Sequence, residues 1–140
     1  MNKLLFLDFD GVLHPSSPGI EPLFGRAQLL DKILHGMDIP IVISSSWRFT
    51  HSIKELQTKL PAMLAKCVVD ITGAALMGKH PRHNEILHYL QNKGLTSDWR
   101  ALDDSYWEFP SGCQELIRCN PNTGIADKQV KELQRWLSTD

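Results

Sequence analysis

The sequence of 140 residues predicts an α/β fold, a three-layer α/β/α sandwich whose sheet is mainly parallel with helices on both faces. Two observations carry this prediction. Short runs of branched apolar residues alternate with stretches whose apolar residues recur every three to four positions, which is the strand-then-helix order of a parallel sheet. Acidic and hydroxyl residues stand at the ends of those runs, and open α/β sheets collect ligands at the carboxyl ends of their strands.

The first run, LLFLDFDGVLH from Leu4 to His14, is apolar enough for a buried strand and ends in two aspartates one residue apart. Side chains at i and i+2 of a strand share a face, so Asp8 and Asp10 leave it pointing the same way, and Gly11 lets the chain turn. Two neighbouring carboxylates repel, and burying them costs several kcal/mol or more without compensation, for which a hard divalent ion such as Mg²⁺ is suited. One carboxylate can then attack an electrophile while the other moves protons. The next segment, His14 to Gly19, holds two prolines and a glycine and reads as a loop over this site, with His14 a candidate substrate contact. Leu29, Leu30, Ile33, Leu34 and Met37 follow at helical spacing, with Gly36 as a stop signal.

A second strand, Ile39 to Ser45, ends in Ser44-Ser45-Ser46-Trp47-Arg48. Hydroxyls at a strand's carboxyl end can donate to a phosphoryl oxygen, so all three serines are candidate substrate contacts, and one of them is also expected to cap a helix. Arg48 is a candidate for a second charged group of the substrate. Ser52 to Lys66 is again helical, with Pro61 as a break or the start of a second short helix, and Cys67 to Ile71 reads as a third strand. Lys79, His80, Arg82 and His83 stand before a helix, Asn84 to Lys93, that Gly94 ends. Trp99 to Leu102 is a fourth strand ending in Asp103-Asp104-Ser105, a second set of carboxylates of the kind a Mg²⁺ site needs. In a strand these neighbouring aspartates face opposite ways. Glu115 to Cys119 is a fifth strand and Asp127 to Leu137 the final helix, with Val130, Leu133 and Leu137 on one face. The stretch from Ser105 to Gln114 is short for a parallel crossover, so either an irregular loop makes the crossing or the strand bounds differ.

Composition sets the outer limits. Hydrophobic residues make up 42% and charged residues 22%, as in ordinary globular proteins, and the length suits one domain, 1–140. A net charge of −1 argues against a protein coated in nucleic acid, though not against a local basic pocket. Cys67, Cys113 and Cys119 are odd in number and lack zinc spacing, so neither a disulfide scaffold nor a zinc site is expected. The apolar start is too short to span a bilayer and lacks a secretory leader's features, so a cytoplasmic protein without membrane contact is expected. Oligomeric state is not legible.

LFLDFDGVL resembles motif one of the haloacid dehalogenase (HAD) superfamily, the serine cluster its motif two, Arg82 its motif three and LDDS its motif four. The resemblance implies strand order 5-4-1-2-3 and hydrolysis of a phosphate monoester through an aspartyl-phosphate. It makes Asp8 the nucleophile, Asp10 the general acid and base, and Ser45 and Arg82 the phosphoryl-binding groups. Ser44 and Lys79 are the alternatives for the last two roles. Mg²⁺ would be held by Asp8, the backbone carbonyl of Asp10, and Asp104, with Asp103 beside it. Neither usual insertion point has room for a cap domain, and in the family an open site tends to go with phosphorylated proteins or nucleic-acid ends, although small phosphorylated metabolites occur. SSSW, RHNEI, LDDS and the late NTGI are similar to a small capless branch associated by domain fusion with RNA repair. Two rivals are a phospho-accepting receiver module, which wants its acid pair on the first strand and its acceptor on the third, and a HAD-fold binding or regulatory module without turnover.

Overall fold

The computed structural model describes residues 2–139. Its sheet has five parallel strands, β1 (Lys3–Leu7), β2 (Ile41–Ile43), β3 (Val68–Ile71), β4 (Asp98–Asp103) and β5 (Leu116–Arg118), in the order β3-β2-β1-β4-β5. This is the expected HAD-like order read from the other edge. Helices α1 (Ala27–Leu34), α2 (Ile53–Thr58), α3 (Ala62–Cys67) and α4 (Pro81–Asn92) lie between the strands, α5 (Asp127–Leu137) follows β5, and a 3₁₀ turn covers Ser46–Phe49. Neither the stretch from Asp8 to Arg26 nor that from Thr72 to His80 contains a further helix or multi-residue strand, so no cap is inserted there.

The central strands β1 and β2 are buried on both faces, which is why Leu4–Leu7 and Ile41–Ile43 read as continuous apolar runs. Leu5, Leu7, Ile41 and Ile43 pack with Leu30 and Leu34 of α1, Leu64 of α3 and Leu133 and Trp136 of α5. Leu4, Phe6, Val42, Trp99 and Ala101 point the other way, to Ile86 and Leu90 of α4. Each fully buried Leu, Ile or Phe contributes ~1.5–3 kcal/mol. The side chains that leave the strand ends on the α4 face are therefore fixed by the alternation of this core.

Two expected bounds are corrected. Gly36 takes φ +77, which ends α1 at Leu34 and leaves Met37 outside the helix and exposed. Helix α4 starts a turn early, at Pro81, because proline suits a first helical position; Arg82 thereby lies in its first turn. Between β4 and β5 an irregular stretch makes the parallel crossing, the first of the two outcomes expected, and Phe109 from it is buried in the core beside Ile86 and Trp99. Pro61 does separate two short helices, and Ser52 closes a capping box with Glu55 at the start of α2. Among the described residues no helix is long and apolar enough to cross a membrane.

Candidate active site

Register carries the site. Leu7 is level with Ile43 and Leu102, and the ladder continues one residue further through Asp8 N–H to the Leu102 carbonyl (3.0 Å), Ser44 N–H to Leu7 (3.0 Å) and Thr72 N–H to Ile43 (3.0 Å). Thr72, Ser44, Asp8 and Asp103 thus form one row across four strands at their carboxyl ends. Alternation turns all four side chains to the α4 face.

Arg82 enters this row from α4. Its Nη1 donates to Asp103 Oδ2 at 2.7 Å and lies 3.5 Å from Asp8 Oδ1, while its other nitrogens lie 3.8 Å from Glu85 and 3.9 Å from Glu108. Lys79, the alternative cation, is exposed and makes no ion pair among the described residues. Asp103 and Asp104 do not face apart as strand neighbours would. Because β4 ends at Asp103, whose Oδ1 accepts from Ser105 N–H at 3.0 Å, the chain turns there. Asp8, Asp103 and Asp104 can each offer an oxygen with all three within 4.8 Å of one another. Gly11 makes room for this, since a Cβ at its φ of +76 would stand 2.2 Å from Asp104 Oδ2.

The three carboxylates exceed the charge that opposes them. Burial, then the Asp103 and Asp104 carboxylates, hold the Asp8 carboxyl well above its ordinary range despite Arg82. Burial likewise pushes Asp103 up to about 6, against the pull of Arg82. Crowded oxygen donors short of positive charge fit a hard divalent cation.

Four buried side-chain atoms lack a hydrogen-bond partner among the described residues: Ser44 Oγ, Thr72 Oγ1, Arg82 Nε and Ser105 Oγ. All lie along this edge of the sheet, in the row, facing it, or just after Asp104. Buried polar groups are normally satisfied, so such a concentration marks the place for a polar occupant. Ser45 differs from Ser44: its Oγ accepts from Trp47 N–H at 3.2 Å and caps the 3₁₀ turn. Ser46 is exposed in that turn.

Two expected substrate contacts are corrected. Arg48 is buried and engaged at all three nitrogens, donating to the carbonyls of Ser44 (2.7 Å), Ser45 (3.1 Å) and Gly73 (3.1 Å) and to Glu85 Oε1 (2.8 Å), so it ties β2, the β3 loop and α4 together. His14 is 0% exposed; its ring bonds Asp10 and the Phe24 amide and has no path to a ligand. Asp10 lies outside the three-carboxylate cluster, with a half-exposed side chain that bonds His14 Nε2 at 2.7 Å and Trp47 Nε1 at 3.0 Å. Sequence reasoning missed Thr72, although the strand-end rule that found Ser44 applies to it. Glu85, the glutamate of RHNEI, entered only as part of that motif and was given no site role, although it pairs with Arg48 and faces Arg82.

A parallel sheet in this order, with an acid pair after the central strand and further acids after its neighbour, defines a HAD-like domain. The model of one family, the HAD domain in Swiss Army Knife RNA repair proteins, matches residues 4–130, and the chain belongs to that family. No curated protein and no solved structure matches it.

Proposed function

We propose that the protein is a Mg²⁺-dependent phosphatase that hydrolyses a phosphate monoester through a phosphorylated Asp8. The observation that carries this reading is the coincidence, at one sheet edge, of a buried carboxylate, the Arg82 guanidinium beside it and the unpartnered Ser44 hydroxyl in the next strand. Asp8 attacks phosphorus, the ester P–O bond breaks, and the departing oxygen takes a proton from Asp10. Asp10 then takes a proton from the water that attacks this phosphorus, the P–O bond to Asp8 breaks, and inorganic phosphate leaves, which restores the Asp8 carboxylate and the Asp10 acid. Arg82 and Ser44 bind the transferred phosphoryl, and Ser45 shapes the turn beside it. Mg²⁺ would be held by Asp8, Asp104 and the backbone carbonyl of Asp10, with Asp103 adjacent, and supplies charge neutralisation to the phosphoryl group.

For the substrate we propose the phosphorylated end of a nucleic acid. Two features support this. The family is named for RNA repair proteins. Phe49, Tyr106 and Trp107, each more than half exposed, stand on the loops leaving the catalytic edge, where bases can stack on them. The test is release of phosphate, with Mg²⁺ and with chelator, from oligonucleotides phosphorylated at either end, phosphopeptides and small phosphate esters. Trapping of a phospho-aspartate that Asp8→Asn abolishes is expected. Chelator-resistant hydrolysis, or no release from any of these by folded protein, would refute the proposal.

A further inference from the structure

Beyond its reacting groups the site contains a clamp on Asp10. We propose that His14 and Trp47 are positioning residues that fix the Asp10 carboxyl for proton transfer to the leaving oxygen. The inference rests on the phosphatase reading above and adds two residues to it.

A half-exposed aspartate beyond the end of a strand has no packing of its own to select a rotamer. Asp10 is instead held at both oxygens, Oδ1 by His14 Nε2 at 2.7 Å and Oδ2 by Trp47 Nε1 at 3.0 Å. The direction of each bond follows from chemistry. An indole N–H only donates, so Oδ2 accepts. The backbone N–H of Phe24 points at His14 Nδ1 at 3.0 Å and also only donates, so Nδ1 carries the lone pair. The neutral ring must then keep its proton on Nε2, and Oδ1 accepts as well. With one lone pair of each oxygen committed to the clamp, the proton Asp10 exchanges sits on one of the lone pairs left free.

The clamp is itself held rigidly. His14 packs edge-on to Phe24 at 5.0 Å, and its carbonyl accepts from Gly11 N–H at 2.8 Å. Trp47 packs against Phe24 at 5.2 Å and Phe9 at 5.8 Å and stacks on His51 at 5.2 Å. Its backbone N–H is the one that Ser45 caps, so the serine places the indole that places the acid. Loose packing would give an acid free to turn; here the supporting groups are aromatic, His14 and Phe9 fully buried and Phe24, Trp47 and His51 partly so.

The test separates positioning from mere structure by the leaving group. The phenolate of p-nitrophenyl phosphate departs without a proton, whereas an alkoxide needs one. Only phosphorylation of Asp8 enters kcat/KM, so the later water step does not blur the comparison. Trp47→Phe keeps an aromatic ring and removes the donor. We expect it to lower kcat/KM for an alkyl phosphate roughly ten- to a hundredfold, part of the 10²–10⁴ that a positioned acid supplies, while p-nitrophenyl phosphate changes less than about twofold. His14→Leu should behave alike, and His14→Gln, which restores a donor at the same reach, should recover most of the loss. On the metal-free protein, ¹⁵N NMR should show His14 protonated on Nε2 and bare on Nδ1. Equal losses on both esters, no loss on either, or a proton on Nδ1 would overturn the inference. If the unmodified protein releases phosphate neither from these esters nor from any oligonucleotide, phosphopeptide or small ester of the panel above, the phosphatase reading has failed and this inference falls with it.

Discussion

Arg82→Ala removes the guanidinium nearest to Asp8 and Asp103. Arg82 is 9% exposed and lies within 3.9 Å of four carboxylates, those of Asp8, Asp103, Glu85 and Glu108. Removing one partner of a buried charge network costs ~3–5 kcal/mol, because the remaining charges stay desolvated and unpaired. In a chain of this size each kcal/mol is worth roughly 4 °C in Tm, so a fall of roughly 12–20 °C is expected in chelator at neutral pH. The loss should shrink as pH falls through about 6, where Asp103 takes up a proton, and the raised Asp8 carboxyl acts in the same direction. Thermal melts by circular dichroism at both pH values measure this, with Lys79→Ala as the exposed control. Activity should follow, with Arg82→Ala far more impaired in kcat/KM than Lys79→Ala, and Arg82→Lys only partly restored, since an ammonium lacks the guanidinium's fork of donors. A melt for Arg82→Ala within about 3 °C of the unmodified protein would refute the argument; impaired Lys79→Ala beside normal Arg82→Ala would transfer the phosphoryl-binding role to Lys79.

The two serines should separate cleanly. Ser45→Ala loses a cap and about 0.5–2 kcal/mol of stability, whereas Ser44→Ala, which deletes an unpartnered hydroxyl, should melt no lower yet lose activity; the opposite pattern in melts and kcat/KM would exchange their roles. Gly11→Ala should lose ~1–2 kcal/mol to its left-handed backbone and weaken Mg²⁺ binding by displacing Asp104, read by melts and by titration of the ion. In chelator, stability should rise as pH falls from about 7 to about 5. Folded Asp8 and Asp103 titrate above their unfolded counterparts, near 3.8, so their contribution is complete below that value and is lost as pH rises through the folded one, about 6 for Asp103. Saturating Mg²⁺, which competes with those protons, should reverse the trend, and Asp103→Asn should flatten it; a melting temperature that falls on this acidification in chelator would contradict it.

The central strand, the acid pair after it, the hydroxyl cluster and Asp103-Asp104 were all legible because each is a local pattern: an apolar run stops and a polar side chain follows. Strand order came from the family resemblance, not from the residues, and agrees with the structure. What local pattern could not show is pairing at a distance. The Trp47–Asp10 bond spans 37 positions and the Arg48–Glu85 bond another 37, and nothing in either neighbourhood marks the partner. Strand alternation also misled at Asp103-Asp104, because it holds only while the strand lasts and β4 stops between them. His14 looked accessible since its loop begins beside the site, yet its ring turns inward under Phe24.

Placing β1 between β2 and β4 has a consequence for the order in which the chain is made. The ribosome delivers β1, β2 and β3 first, and these can pair in sequence, but the other side of β1 stays open until residues 98–103 emerge. For that interval the apolar run Leu4–Leu7, destined for the centre, is an exposed strand edge able to pair with another nascent copy. Truncations ending before Asp98 would make that interval permanent, so they should aggregate, whereas a cut after β4 leaves β1 paired on both sides.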